Sequence, residues 1–125
     1  QMEFIATDQA PAAIGPYAQA VKVGDWLYTS GQIPLTEDGE FVEGDIEAQT
    51  KQVLKNLQAV LDKAGARVDQ VVKATVYLTD LAHFSRVNEL YAEFFKSHTP
   101  ARSCVQVAAL PKGAQVEIEL VACLM

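Results

Sequence analysis

Two cysteines, Cys104 and Cys123, are all the thiol chemistry in the 125 residues. Neither lies in a CxxC pair or in a Cys/His cluster of metal-ligand spacing, so no metal site or disulfide framework is expected and the thiols read as reduced, in a cytoplasmic protein. Long apolar runs are also missing. None approaches the ~18 to 20 residues of a bilayer span, and no basic segment followed by an apolar stretch opens the chain, so neither membrane insertion nor export is expected. Positive charge is scarce too. Ten Lys and Arg face sixteen Asp and Glu, a formal charge of −6, which repels the phosphate backbone that dominates nucleic-acid affinity and puts a nuclease reading at a disadvantage. The absence of a GxGxxG, a Walker loop or an HExxH removes the common nucleotide and zinc readings. No repeat, low-complexity tract or linker divides the chain, which leaves one domain over residues 1–125.

What is present suits a soluble globular fold. Hydrophobic residues make up 50% of the chain and charged ones 21%, enough for one core whose formation removes roughly two-thirds of the unfolded chain's surface.

Two periodicities alternate along the sequence. Residues 17–23 and 26–33 read as strands joined by a tight turn at Gly24-Asp25, and Asp38-Gly39 marks another reversal. Ile46, Val53, Leu57, Val60, Leu61 and Ala64 then fall on one helical stripe, with Asp45 as N-cap and Gly65 as C-terminal stop. Residues 71–78 return to alternation, Val72, Ala74, Val76 and Leu78 against Lys73, Thr75 and Tyr77. Asp80 is placed to cap a second helix with Phe84, Val87, Leu90, Tyr91, Phe94 and Phe95 on its apolar stripe, ending before Pro100. Two strands follow, about 102–107 and 116–123, with Pro111 and Gly113 between them. This order argues for an α+β or α/β two-layer domain with both helices on one face of a sheet.

The other face of the sheet is the informative surface. Alternation assigns Ser103, Val105 and Val107, with Val116, Ile118 and Leu120, to the helix-covered core, and collects Arg102, Glu117 and Glu119 beside Tyr28, Ser30 and Tyr77 on the uncovered side. That surface is too aromatic for plain solvated sheet and too charged for a closed core. It suits an oligomer interface containing a cleft, or else an amphipathic sheet with surface ion pairs.

Arg102 can grip a carboxylate through two parallel hydrogen bonds, or pair with Glu117 or Glu119 across neighbouring strands. Glu117 can act as general base if burial raises its pKa, or stand with Glu119 as a solvated strand glutamate. Cys104 has no sequence signature for a histidine partner, so its backbone N–H or its packing is expected to matter more than its sulfur. Tyr17 follows the rigid Gly15-Pro16, and Ser30-Gly31-Gln32 gives the backbone room near a ligand, although either segment can equally be turn chemistry. Asn88 lies on the second helix, where an exposed asparagine needs no function.

Three stretches, APAAIGPYAQAV at 10–21, TSGQIPL at 29–35 and PARSCVQVAALPKGAQVEIE at 100–119, together resemble the RidA/YjgF family over nearly the whole chain. The resemblance implies a chorismate-mutase-like α+β fold, a mixed sheet with two helices on one face, assembled as a homotrimer with clefts between subunits. It further implies cofactor-free hydrolysis of 2-iminopropanoate, 2-aminoacrylate and 2-iminobutanoate, imino and enamino acids released by pyridoxal-phosphate-dependent enzymes. Carried over by motif, Arg102 binds the substrate carboxylate with help from the Cys104 N–H, and Glu117 activates water. Tyr17, Ser30, Gly31 and Asn88 line the cleft, Tyr17 reaching in from a neighbouring subunit. A non-catalytic, regulatory carboxylate-binding module is the alternative use of the same residues.

Overall fold

The computed structural model describes residues 1–125. Eight elements follow one another: β1 (Met2–Ile5), β2 (Ala20–Val23), β3 (Trp26–Thr29), α1 (Ile46–Ala64), β4 (Val71–Leu78), α2 (Phe84–Phe95), β5 (Ala101–Gln106) and β6 (Val116–Cys123). The six strands form one mixed sheet in the order β1-β2-β3-β6-β4-β5, antiparallel except for β4 and β5. That parallel pair needs a crossover, and α2 supplies it.

Helix α1 forms where its apolar stripe predicts. The Asp45 side chain accepts from the Ala48 N–H at 2.9 Å, and Gly65, at φ 78°, ends the helix in the left-handed conformation that glycine adopts without steric cost. Leu57 and Leu61 of α1 pack with Leu27, Leu78, Ile118 and Leu120 of the sheet, all at most 1% exposed. This layer of helix against sheet is the core. No helix is long and apolar enough to cross a membrane.

Several boundaries differ from the sequence expectation, each for a local reason. Strand β1 has only four residues and no turn signal ahead of it, so periodicity misses it; pairing of Ile5 with Ala20 makes it a strand. Strand β2 begins at Ala20 rather than 17, because Gln19 is buried and its carboxamide instead takes the Thr7 N–H (2.7 Å) and donates to Pro11 O (2.8 Å). Strand β3 stops at Thr29 rather than 33, because the ladder to β6 is bulged: Tyr28 faces Val121 and Gln32 faces Ile118, leaving three residues against two. A second bulge, between Val71 and Lys73, pushes Val72 out of the inward set to 39% exposure. Asp80 caps a short 3₁₀ turn, residues 81–83, which leads into α2.

One face assignment is overturned. Ala74 and Val76, both buried in the core, pair with Arg102 and Cys104, so those two point to the helix side; Thr75 and Tyr77 pair with Ser103 and Val105, which point to the uncovered side. Val105 is 43% exposed. Valine's hydrophobicity suggested the opposite, but β5 is an edge strand and register, not composition, decides its faces.

The uncovered face is apolar at one end and ionisable at the other. Met2, Phe4, Val23, Trp26 and Tyr28 stand exposed on β1 to β3, while Glu117, Glu119 and Tyr77 occupy β6 and β4.

Candidate active site

The predicted site residues separate into two groups on opposite faces of the sheet. The first is built on the β3–β6 bulge. Ser30 is fastened by its N–H to Gln19 O (2.9 Å) and by its hydroxyl to Ala18 O (2.6 Å), and Gly31 then passes over Glu117. A Cβ on Gly31 would overlap the Glu117 carboxylate, lying 2.8 Å from its Cδ. The constraint at Gly31 is close approach rather than backbone conformation: a Cβ there would have to push the Glu117 side chain aside. Gly31→Ala is therefore expected to displace the Glu117 side chain and lower activity at least about tenfold with the fold retained; comparing kcat with the circular dichroism spectrum checks it.

Burial pushes the Glu117 carboxyl above the usual carboxylate range, and the neighbouring Glu119 charge adds to the rise. Glu119 accepts a hydrogen bond from the Tyr77 hydroxyl at 3.2 Å, and Tyr77 pairs with Glu117 across the β4–β6 ladder. A carboxylate whose proton affinity is raised by partial desolvation is a stronger base toward water than a solvated one. Tyr17 lines a separate hollow with Phe4, Ile5, Ala13 and Lys63. Its ring is 55% exposed and its hydroxyl is free of hydrogen bonds within the chain.

The second group lies where β5 meets α2. Arg102 Nη1 donates to Asn88 Oδ1 at 2.7 Å, and its Cζ sits 4.7 Å from the Tyr91 ring centroid and 5.3 Å from that of Phe84. None of the four ion pairs of the chain includes Arg102. The alternative ion pair with Glu117 or Glu119 is excluded within one chain, since β4 lies between β5 and β6 and the side chains leave opposite faces.

Cys104 flanks Arg102 with its side chain against the core. Burial raises its thiol pKa, with the Arg102 charge opposing in part, so the nucleophilic thiolate is disfavoured. Its backbone is better placed. The Val107 N–H donates to Leu78 O at 2.8 Å, so alternation turns the N–H groups of Arg102, Cys104 and Gln106 away from β4, to the free edge of the sheet. An unpaired N–H beside a guanidinium is a natural carboxylate contact.

Tyr91 and Phe84 were legible only as part of an apolar stripe, and their contact with Arg102 was missed. Phe84, Asn88 and Tyr91 are spaced i, i+4, i+7, which puts an amide between two aromatic rings on one helix face; that spacing was the available signal.

A family model described as Endoribonuclease L-PSP matches residues 7–124. The chain is 49% identical over 121 residues to the 2-iminobutanoate/2-iminopropanoate deaminase of Escherichia coli K12, covering 94% of each protein. It is 53% identical to YyfA from Yersinia pestis, solved as a protein of unknown function of the Rid family, with a TM-score of 0.96 over 98% of this chain and 99% of that one. The E. coli TdcF structure with bound serine is similar as well, at 45% identity and TM-score 0.92 over 97% of this chain and 98% of that one.

Proposed function

The chain belongs to the Endoribonuclease L-PSP family, also called RidA/YjgF, and from that membership and the two half-sites we propose that it hydrolyses reactive 2-imino and 2-enamino acids to 2-keto acids and ammonia, as a homotrimer with one site at each contact between copies. Arg102, Asn88 and the Cys104 N–H of one copy hold the substrate carboxylate. Ser30, Gly31, Glu117 and Tyr17 of the neighbouring copy close the cleft, and Glu117 activates water.

The observation that carries this reading is the separation itself. A guanidinium with a free edge and a desolvated carboxylate lie on opposite faces of one sheet, so the two can act on one substrate only if a second copy brings its Glu117 to the first copy's Arg102. The exposed apolar residues of β1 to β3 favour such packing, since apolar area of this kind is stabilised by removal from water.

The chemistry needs no cofactor. With the imine nitrogen protonated, water adds to the C2 carbon while Glu117 takes one of its protons, giving a neutral carbinolamine. Glu117 returns that proton to the nitrogen and then takes the hydroxyl proton as the C–N bond breaks, so that ammonia leaves and the C=O bond forms. An enamine such as 2-aminoacrylate enters after tautomerising to the imine. Substrates of this kind arise from pyridoxal-phosphate-dependent enzymes, whose cytoplasmic setting also keeps Cys104 and Cys123 reduced. Because uncatalysed imine hydrolysis is already fast, positioning and a single general base suffice.

Complementation tests both activity and assembly. Imine is generated by an amino-acid oxidase, and survival is read by semicarbazide trapping. Arg102→Ala and Glu117→Gln oligomers, each nearly inactive, should regain up to about a quarter of wild-type activity when unfolded together and refolded as a random mixture, because only contacts joining two intact halves work. A monomer in solution, or no recovery in verified mixed oligomers, defeats the two-copy site. Equal imine survival with wild type and Arg102→Ala defeats the deaminase.

A further inference from the structure

Arginine is a flexible ligand for a small carboxylate. Its free rotamers must be frozen for a bidentate grip, and the guanidinium must show the correct edge rather than its face. In this chain no carboxylate restrains Arg102. Its polar anchor is one hydrogen bond, from Nη1 to Asn88. That bond alone leaves rotation about its own axis free.

The ring of Tyr91 packs against this guanidinium. It lies 4.7 Å from Arg102 Cζ and is only 7% exposed. Its other neighbours hold it in place: Phe95 at 4.6 Å between centroids, with Phe94 edge-on to Phe95 at 5.0 Å. Phe84, 37% exposed and 5.3 Å from Cζ, supplies a second, outer aromatic wall. The Tyr91 hydroxyl makes no hydrogen bond within the chain, so it is not what anchors Arg102. Tyr91 therefore serves through its aromatic face.

We propose that Tyr91 is a positioning residue for imine hydrolysis: its core-anchored ring fixes the plane of the Arg102 guanidinium, so that Nη1 stays on Asn88 and the Nε–Nη2 edge is presented to the substrate carboxylate. The inference rests on the deaminase reading for its substrate, but its physical content is preorganised carboxylate binding. A ring already in place reduces the ordering cost of binding and attracts the cation over its π face.

The test compares Tyr91→Leu, which keeps apolar bulk and loses the π face, with Tyr91→Phe, which keeps the ring. For Leu, KM for the imino acid should rise about 3- to 30-fold with kcat changed less than about twofold, and calorimetric affinity for 2-oxobutanoate should fall by a similar factor. Phe should recover most of that loss, since it keeps the ring. Should Tyr91→Leu fail to fold, Tyr91→Met, a more adaptable apolar substitute without the ring, takes its place with the same expected rise in KM and the same overturning result.

Unchanged KM and affinity in the folded Leu variant overturn the proposal, and so does a Phe variant as impaired as Leu. The outcomes separate this inference from its premise. Tyr91-dependent 2-oxobutanoate binding without turnover in the wild type sinks the deaminase reading alone. Turnover indifferent to Tyr91 sinks this inference alone, and wild type that neither binds nor turns over sinks both.

Discussion

Glu117→Gln is expected to lower kcat for imine hydrolysis by about 10²- to 10⁴-fold while leaving KM close to wild type. The amide has nearly the same shape and still fits beneath Gly31, but cannot accept the proton of the attacking water. Stability should move the other way. In the folded chain the Glu117 carboxyl is pushed up, first by burial and then by Glu119, so between the unfolded and folded pKa values the native state binds the extra proton. Folding stability contributed by this group is then lost as pH rises through that window, and the charge remains a net cost at neutral pH. Glu117→Gln removes that cost, so its melting temperature at pH 7 should equal or exceed that of wild type.

The pH profile gives an independent check on the same residue. Only deprotonated Glu117 acts as base, so kcat/KM should rise with pH through an acid limb above the usual carboxylate range. Glu119→Gln removes the second cause of the rise and should move that limb to lower pH. An acid limb unchanged by both substitutions would assign the base elsewhere.

Arg102→Ala is the second large effect, expected at about 10²- to 10³-fold in kcat/KM and carried mostly by KM. Two charge-assisted hydrogen bonds to a carboxylate are worth roughly 3 to 4 kcal/mol together, and each 1.4 kcal/mol is tenfold. Arg102→Lys should fall between the two, because lysine keeps the charge but has neither the planar fork nor the stacking surface for Tyr91. Unlike Glu117, Arg102 is exposed and free of any carboxylate partner in its own chain, so its removal should shift the melting temperature little. Steady-state kinetics beside a thermal melt separate loss of binding from loss of fold. A KM unchanged in folded Arg102→Ala would remove the carboxylate grip from the mechanism.

Local signals carried much of this molecule. The α1 stripe with Asp45 and Gly65, the Gly24-Asp25 hairpin and the inward Val116, Ile118 and Leu120 all depend on neighbours a few residues apart, and a period of 3.6 or 2 reads such neighbours directly. Chemistry-bearing residue types were also legible, because a guanidinium suits a carboxylate and a glutamate suits water whatever surrounds them.

The sequence by itself therefore determined the class of fold and which side chains could do chemistry. Only the tertiary structure decided how they are grouped, because pairing register and bulges arise between segments distant in the chain. One extra residue between Tyr28 and Gln32 brings Gly31 onto Glu117, and the parallel register of β4 with β5 turns Arg102 toward α2 and away from that glutamate. Alternation along a single strand sorts its residues into two sets. Which set faces the helices is decided by the neighbouring strand.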